Sequence, residues 1–264
     1  VGWYGDAAAT TGARYNPVAQ SRILDTRAGN GAPVAKLGAG ATLDLQVTGR
    51  GGVPATGATA VALDVTVLQP SSTSSLTVWP TGQARPNPAS SVTYGSNQSA
   101  ANVVLVPLGT GGKVSLYNQY GSTHVVADVV GWYGDAAATT GARFNQLAQA
   151  RILDTRSGNG APVAKLGTAA TLDLQVTGRG GVPATGATAV ALHVTVLQPS
   201  TASSLTAWPT GQVRPNPASN LTYASGQSVT GLVLVPLGAG GKVSLYNQSG
   251  TTNVTADVVG WYGP

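Results

Sequence analysis

Val-Gly-Trp-Tyr-Gly stands at Val1–Gly5, returns at Val130–Gly134 and returns again at Val259–Gly263. The copies lie 129 residues apart, and the sequence between them keeps that offset. RILDTR at Arg22–Arg27 recurs at Arg151–Arg156, and Trp79 recurs at Trp208. A fixed period is the first thing to seek in a sequence, and one this long exceeds the roughly 20–50 residues of a solenoid unit. It suits a whole small domain. The 264 residues therefore divide into residues 1–12, a remnant of a preceding repeat with a linker; a first domain, 13–134; a linker, 135–141; and a second domain, 142–264.

Within a repeat the apolar residues alternate. Leu43, Leu45 and Val47 share one face of a strand, with Asp44, Gln46 and Thr48 on the other. Val61, Leu63, Val65 and Val67 alternate with Ala62, Asp64 and Thr66, and Leu76 and Val78 with Thr77 and Trp79. Period-two alternation marks half-buried strands. The glycines of 49–57 and the prolines of 80–88 mark the turns between them. Further strands are expected at Tyr15–Arg27, Val92–Tyr94 and Val103–Leu108, with a closing hairpin formed by Val114–Tyr117 and His124–Tyr133. No apolar period of 3.6 residues is sustained. The expected fold class is all-β: two tandem antiparallel β-sandwich (or barrel-like) domains of seven to nine strands each. On this alternation Trp132 and Trp261 share a face with Asp128 and Asp257, opposite Val129 and Tyr133.

Composition narrows the functions. Charged residues make up 9% of the chain, against about 25% in an average protein. The net charge is +5, but the 10 Arg and 4 Lys are scattered singly. A nucleic-acid footprint requires clustering on one face, so no nucleic-acid partner is expected. The longest apolar runs fall well short of a membrane span, and no membrane insertion is expected. There is no Cys, which excludes disulfides and thiolate metal sites. No cofactor and no metal site is expected. No signal-peptide pattern is present, as in a mature secreted protein.

Catalytic machinery is sparse. All nine acids are Asp, and the two histidines, His124 and His193, fall at non-equivalent positions opposite Asn253 and Asp64. A duplicated histidine-dependent site needs the residue in both copies. Asp25/Asp154, Asp44/Asp173 and Asp128/Asp257 repeat, but they form no acid–base pair of the kind glycosidases use. The expectation is that the chain is not an enzyme.

Two features point to binding. Arg22, Asp25 and Arg27, with Asn30 in the loop that follows, recur as Arg151, Asp154, Arg156 and Asn159. Asp25 and Arg27 share a strand face and can pair. The pair either clamps the strand to its Gly-rich loop or offers a carboxylate and a guanidinium to a polar ligand. Trp79 and Trp208 alternate with inward residues, so their indoles are expected on the outer face, where a flat apolar surface with an edge N–H suits a sugar ring. Two linked weak sites gain avidity when both engage.

The run RILDTR … VTGRGGVPATGATAVAL … SLTxWPTG … GGKVSLYNQ … ADVVGWYG resembles the tandem repeat domains of secreted actinobacterial exoproteins, and more narrowly the Streptomyces hemagglutinin type of lectin. The resemblance spans Arg22 to Tyr133 and Arg151 to Tyr262. It implies an extracellular or cell-surface protein that binds L-rhamnose or D-galactose termini without catalysis. The expected function is therefore a bivalent carbohydrate-binding lectin that cross-links cell-surface or polymeric glycans. The alternatives are a structural or adhesive repeat module that self-associates in an array, motivated by Val1–Gly5, and an accessory domain of a secreted hydrolase. As an edge strand or as a docked remnant, Val1–Gly5 is expected to pack against a repeat.

Overall fold

A computed structural model describes residues 13–134, 141–216 and 218–264. The expectations for Val1–Gly5 fall outside these residues. The protein is all-β with antiparallel sheets, as the alternation predicts. In the first repeat the strands are β1 (Tyr15–Asp25), β2 (Thr42–Gln46), β3 (Ala58–Leu68), β4 (Ser74–Pro80), β5 (Val92–Tyr94), β6 (Ala100–Pro107), β7 (Lys113–Asn118) and β8 (His124–Gly134). The second repeat continues with β9 (Arg143–Asp154), β10 (Ala170–Gln175), β11 (Ala189–Leu197), β12 (Ser203–Pro209), β13 (Leu221–Tyr223), β14 (Val229–Pro236), β15 (Lys242–Asn247) and β16 (Asn253–Gly263).

Each repeat folds into two four-stranded sheets, ordered β1-β8-β3-β6 and β2-β7-β4-β5 in the first and β9-β16-β11-β14 and β10-β15-β12-β13 in the second. That strand order is a jelly roll, a double-sheet solution to the problem of exposed sheet edges. Val61, Leu63, Val65 and Val67 meet Leu45, Leu76, Val114 and Leu116 between the sheets of the first repeat, and their equivalents do so in the second.

The expected closing hairpin does not form. Strands β7 and β8 lie in different sheets, because the turn between them is a corner. Asn118 holds that corner: its Nδ2 donates to the carbonyls of Leu37, Gly38 and Gly121, and Tyr94 donates its hydroxyl to Asn118 Oδ1. Asn247 repeats the arrangement with Leu166, Gly167, Gly250 and Tyr223.

The facing expected for the VGWYG segment is also corrected. Leu63 pairs with Val129 and Ala62 with Gly131, so Val130 is an extra residue in the ladder. Such a bulge reverses the side-chain parity beyond it. Trp132 consequently packs on the interior of its sandwich, while Tyr133 points outward. Val259 does the same for Trp261 and Tyr262. Gly131 is required by close approach, since a Cβ there would sit 2.3 Å from the Tyr15 ring.

The outward residues of the two β8-containing and β16-containing sheets meet each other. Tyr15, Ala62 and Val130 pack with Ala191, Leu234 and Tyr262 in a third apolar cluster shared by both repeats. The Tyr15 and Tyr262 rings lie 4.3 Å apart between centroids, and the hydroxyls of Tyr133 and Tyr262 are 3.2 Å apart. Ala142 exchanges two backbone hydrogen bonds with Tyr15. The contact is offset rather than symmetric: Leu234 is 4% exposed, whereas its equivalent Leu105 is 44% exposed.

Candidate functional site

The RILDTR cluster is assembled as the sequence predicts, and it is occupied with itself. Asp25 Oδ1 accepts from the Arg27 backbone N–H and from Arg27 Nε, both at 3.0 Å. Asp25 Oδ2 accepts from Arg27 Nη2 at 2.8 Å and from Arg22 Nη1 at 3.3 Å. Arg22 also makes a two-point pair with Asp128 across the sheet, Nε to Oδ1 at 2.9 Å and Nη2 to Oδ2 at 3.0 Å. Asn30 donates to the Arg22 carbonyl and accepts from Arg50 Nη2 at 2.7 Å. Gly31, at φ 75°, brings the loop so close that a Cβ would lie 2.3 Å from the Ile23 carbonyl oxygen.

Arg151, Asp154, Arg156 and Asn159 reproduce this network with Asp257 and Arg179. Of the two expected roles, the clamp is the one built. Hydrogen bonding from Arg27 holds the Asp25 carboxyl below the usual carboxylate range, and Arg156 does the same to Asp154. Asp25 is thus held in ion pairs with Arg22 and Arg27, and Asp128 in one with Arg22.

The same Arg–Asp pair behaves differently in the two repeats. Bonds from Arg151 lower the Asp257 carboxyl, whereas burial pushes Asp128 up despite Arg22. The second repeat is the cause, because it covers this face of the first. The Arg22 side chain is 18% exposed and that of Arg151 42%. Beside Asp128, across the strand pair, Asp64 is fully buried. Its Oδ2 accepts from Asn220 Nδ2 of the second repeat at 2.9 Å, and its Oδ1 has no partner. Burial, and then the neighbouring Asp128 charge, push its carboxyl well above the usual range. Sequence reasoning placed Asp64 on a polar outer face. The signal that could have marked the contact is Ala62, a small apolar residue on that same face, repeated as Ala191.

The tryptophans face outward as expected, but the open indole platform does not form. Trp79 and Trp208 are each 8% exposed. Each is covered by the proline-rich loop that follows its strand, with the indole Nε1 donating to the carbonyls of Gln83 and Gln212 at 3.1 Å. Thr77 donates to the Ala89 carbonyl and Ser91 accepts from the Val78 N–H, fixing the loop across the sheet. Alternation reports which way a side chain points and not whether its own loop folds back over it.

What that loop displays instead is Arg85. Its guanidinium carbon lies 3.9 Å from the centroid of the Tyr117 ring, and Arg214 repeats this over Tyr246 at 4.0 Å. Tyr117 stands on the outer face of β7, between Thr42 and Thr77. Two residues along the same face, Ser115 Oγ donates to Asp44 Oδ1 at 2.6 Å and shares a hydrogen bond with Thr81 at 2.9 Å. Asp173, Ser244 and Thr210 match those contacts. Among the described residues the Arg85 and Arg214 guanidinium groups are engaged with rings and not with acceptors. Each repeat thus carries a cation pinned flat on an aromatic ring, an exposed carboxylate and a hydroxyl chain on one face. A cation over a ring at this distance is a genuine attraction, of order 0.5–1 kcal/mol where solvent reaches it.

No group of metal-ligating side chains and no helix long and apolar enough to cross a membrane occurs among the described residues. No family model and no curated protein matches the chain. Among solved structures it is similar to the N-terminal CBM22-1-CBM22-2 tandem domain of Paenibacillus barcinonensis Xyn10C, at 11% identity and a TM-score of 0.25, over 93% of this chain and 98% of that one. It is also similar to the STIV MCP, at 8% identity and a TM-score of 0.19, over 95% and 96% of the two chains. A third similar structure is the plant receptor-like kinase ANX2, at 8% identity and a TM-score of 0.23, over 94% and 88%.

Proposed function

We propose that this chain is a non-catalytic, extracellular glycan-binding protein with one equivalent site on each repeat, acting as a bivalent cross-linker. The site is the outer face of the β2-β7-β4-β5 sheet and of its counterpart β10-β15-β12-β13. The observation that carries the reading is the duplicated Arg–Tyr stack beside an exposed carboxylate, Arg85–Tyr117 with Asp44 and Arg214–Tyr246 with Asp173. Sugars present apolar C–H faces and a rim of hydroxyls, which such a surface answers with a ring face, guanidinium donors and carboxylate acceptors. One sheet of each repeat carries the inter-repeat apolar cluster, and β12 and β13 of the second repeat also touch β1 and β6 of the first. The sequence resemblance to hemagglutinin-type lectins makes L-rhamnose and D-galactose termini the proposed ligands.

A glycan array tests this directly. Wild-type protein is expected to bind rhamnosyl or galactosyl glycans. A variant carrying Arg85→Ala, Tyr117→Ala, Arg214→Ala and Tyr246→Ala is expected to lose that signal and keep the far-ultraviolet spectrum of the fold. Equal binding by both proteins would reject the site. A blank array together with end-to-end assembly in solution would favour the structural repeat module instead.

A further inference from the structure

The two sites are equivalent by sequence, and among the described residues the site of the second repeat has the first repeat as a neighbour. In β1, Pro17 pairs with Gly131 and Ser21 with Val129, so Val18, Ala19 and Gln20 leave the ladder as a bulge. That bulge faces the second repeat. Between it and the loop after β12 lies a groove of about 160 Å3, lined by Val18 and Gln20 on one side and by Trp208, Arg214, Pro215 and Leu234 on the other. For scale, an engineered cavity of about 150 Å3 takes up benzene, a ring without the hydroxyls of a sugar, which the open side of the groove would have to admit.

The lining has the composition that a sugar ring requires. Trp208, Pro215, Val18 and Leu234 supply apolar walls. Arg214, already stacked on Tyr246 at 4.0 Å, also lines the groove. Gln20 points its Nε2 at Asp128 Oδ2, 3.5 Å away, and its Oε1 is a buried acceptor with no partner. At the mouth stands Val213, 93% exposed. The first repeat has Ala84 at that position, and its equivalent of Leu234 is the exposed Leu105.

We infer that the inter-repeat groove is a second sugar subsite attached to the site of the second repeat. The inference rests on the glycan-binding reading above. The outer face that carries Tyr246 takes one ring and the groove takes the next, with Arg214 shared between them.

The test uses the full chain with the first face removed by Tyr117→Ala, titrated by calorimetry with D-galactose and with β-1,4-linked galactobiose, and with L-rhamnose and a rhamnose disaccharide in parallel. The disaccharide of the sugar that binds is expected to bind about tenfold more tightly than the monosaccharide. Adding Ala19→Trp, which fills the groove from the exposed side of the first repeat, is expected to abolish that tenfold gain and leave monosaccharide binding intact. Ala148→Trp, at the equivalent exposed position facing no groove, is the control for which the gain should survive. A gain that survives Ala19→Trp, or no gain at all with monosaccharide binding present, overturns the subsite while leaving the face intact. No binding of any of the four sugars overturns both.

Discussion

Replacing Arg22 by Ala is expected to destabilise the protein by about 3–5 kcal/mol, the cost of stranding a buried charge whose partner has been removed. The matched change Arg151→Ala is expected to cost less, because the Arg151 side chain is 42% exposed and water can reach the place it leaves beside the buried Asp257. The two arginines make the same bonds to equivalent partners, Asp128 at 2.9 Å and Asp257 at 2.8 Å. They differ in what covers them and in the residue across the strand pair, Asp64 beside Asp128 and His193 beside Asp257. Without Arg22, Asp128 faces the buried Asp64 with no cation between the pair and the apolar interface. Urea unfolding of the two variants gives the comparison, and equal losses would mean that the inter-repeat contact does not bury this network in solution.

The pH dependence of stability is expected to carry two opposite signatures. Asp25, Asp154 and Asp257 have carboxyls lowered in the folded state, so their contribution is present above the ordinary carboxylate pKa and is lost as the pH falls through the folded values. Asp64 has its carboxyl raised. Its folded form holds a proton that the unfolded chain gives up near pH 4. Stability from Asp64 is therefore full below that pH and is lost as the pH rises toward its folded value, at up to about 1.4 kcal/mol per pH unit. Asp64→Asn removes the titration and can still accept from Asn220. Denaturation midpoints at pH 4, 6 and 8 are expected to diverge, with the variant gaining on the wild type as pH rises. Parallel profiles would show that Asp64 is not held in the interface. The second repeat has His193 at this position, opposite Asp257, so the device belongs to the first repeat alone.

The strands themselves were legible, because Val61 through Val67 and Leu43 through Val47 write a period of two that only a half-buried strand satisfies. What escaped is what period two does not encode. One inserted residue, Val130, turns Trp132 inward and Tyr133 outward, and a bulge leaves no mark on the alternation up to that point. The hairpin expected from β7 and β8 failed because neighbours in sequence pair only as a tendency, and Asn118 gives its hydrogen bonds to a corner instead. At the candidate site, the direction of Trp79 and the Asp25–Arg27 pairing could be read from alternation. The cover over the indole could not, since it comes from a loop that folds back across its own strand. Arg85 was hidden for the same reason: a lone arginine among prolines shows nothing of the ring it lies on. Asp64 looked solvent-facing because a repeat read by itself contains no trace of its neighbour.

The tandem arrangement gives the duplicated face its meaning. The apolar cluster of Tyr15, Ala62, Val130, Ala191, Leu234 and Tyr262 joins the repeats through one sheet of each, with β12 and β13 of the second repeat also set against β1 and β6 of the first. Under the proposed function, two sites fixed on one body engage two glycans together, and the avidity this brings needs no new contact. Agglutination of rhamnose- or galactose-coated beads measures that claim most directly. The wild-type chain should clump the beads, and Tyr117→Ala or Tyr246→Ala alone should leave a protein that still coats them but no longer joins them. Clumping that persists with either face removed, or beads that stay bare with both faces intact, would contradict it.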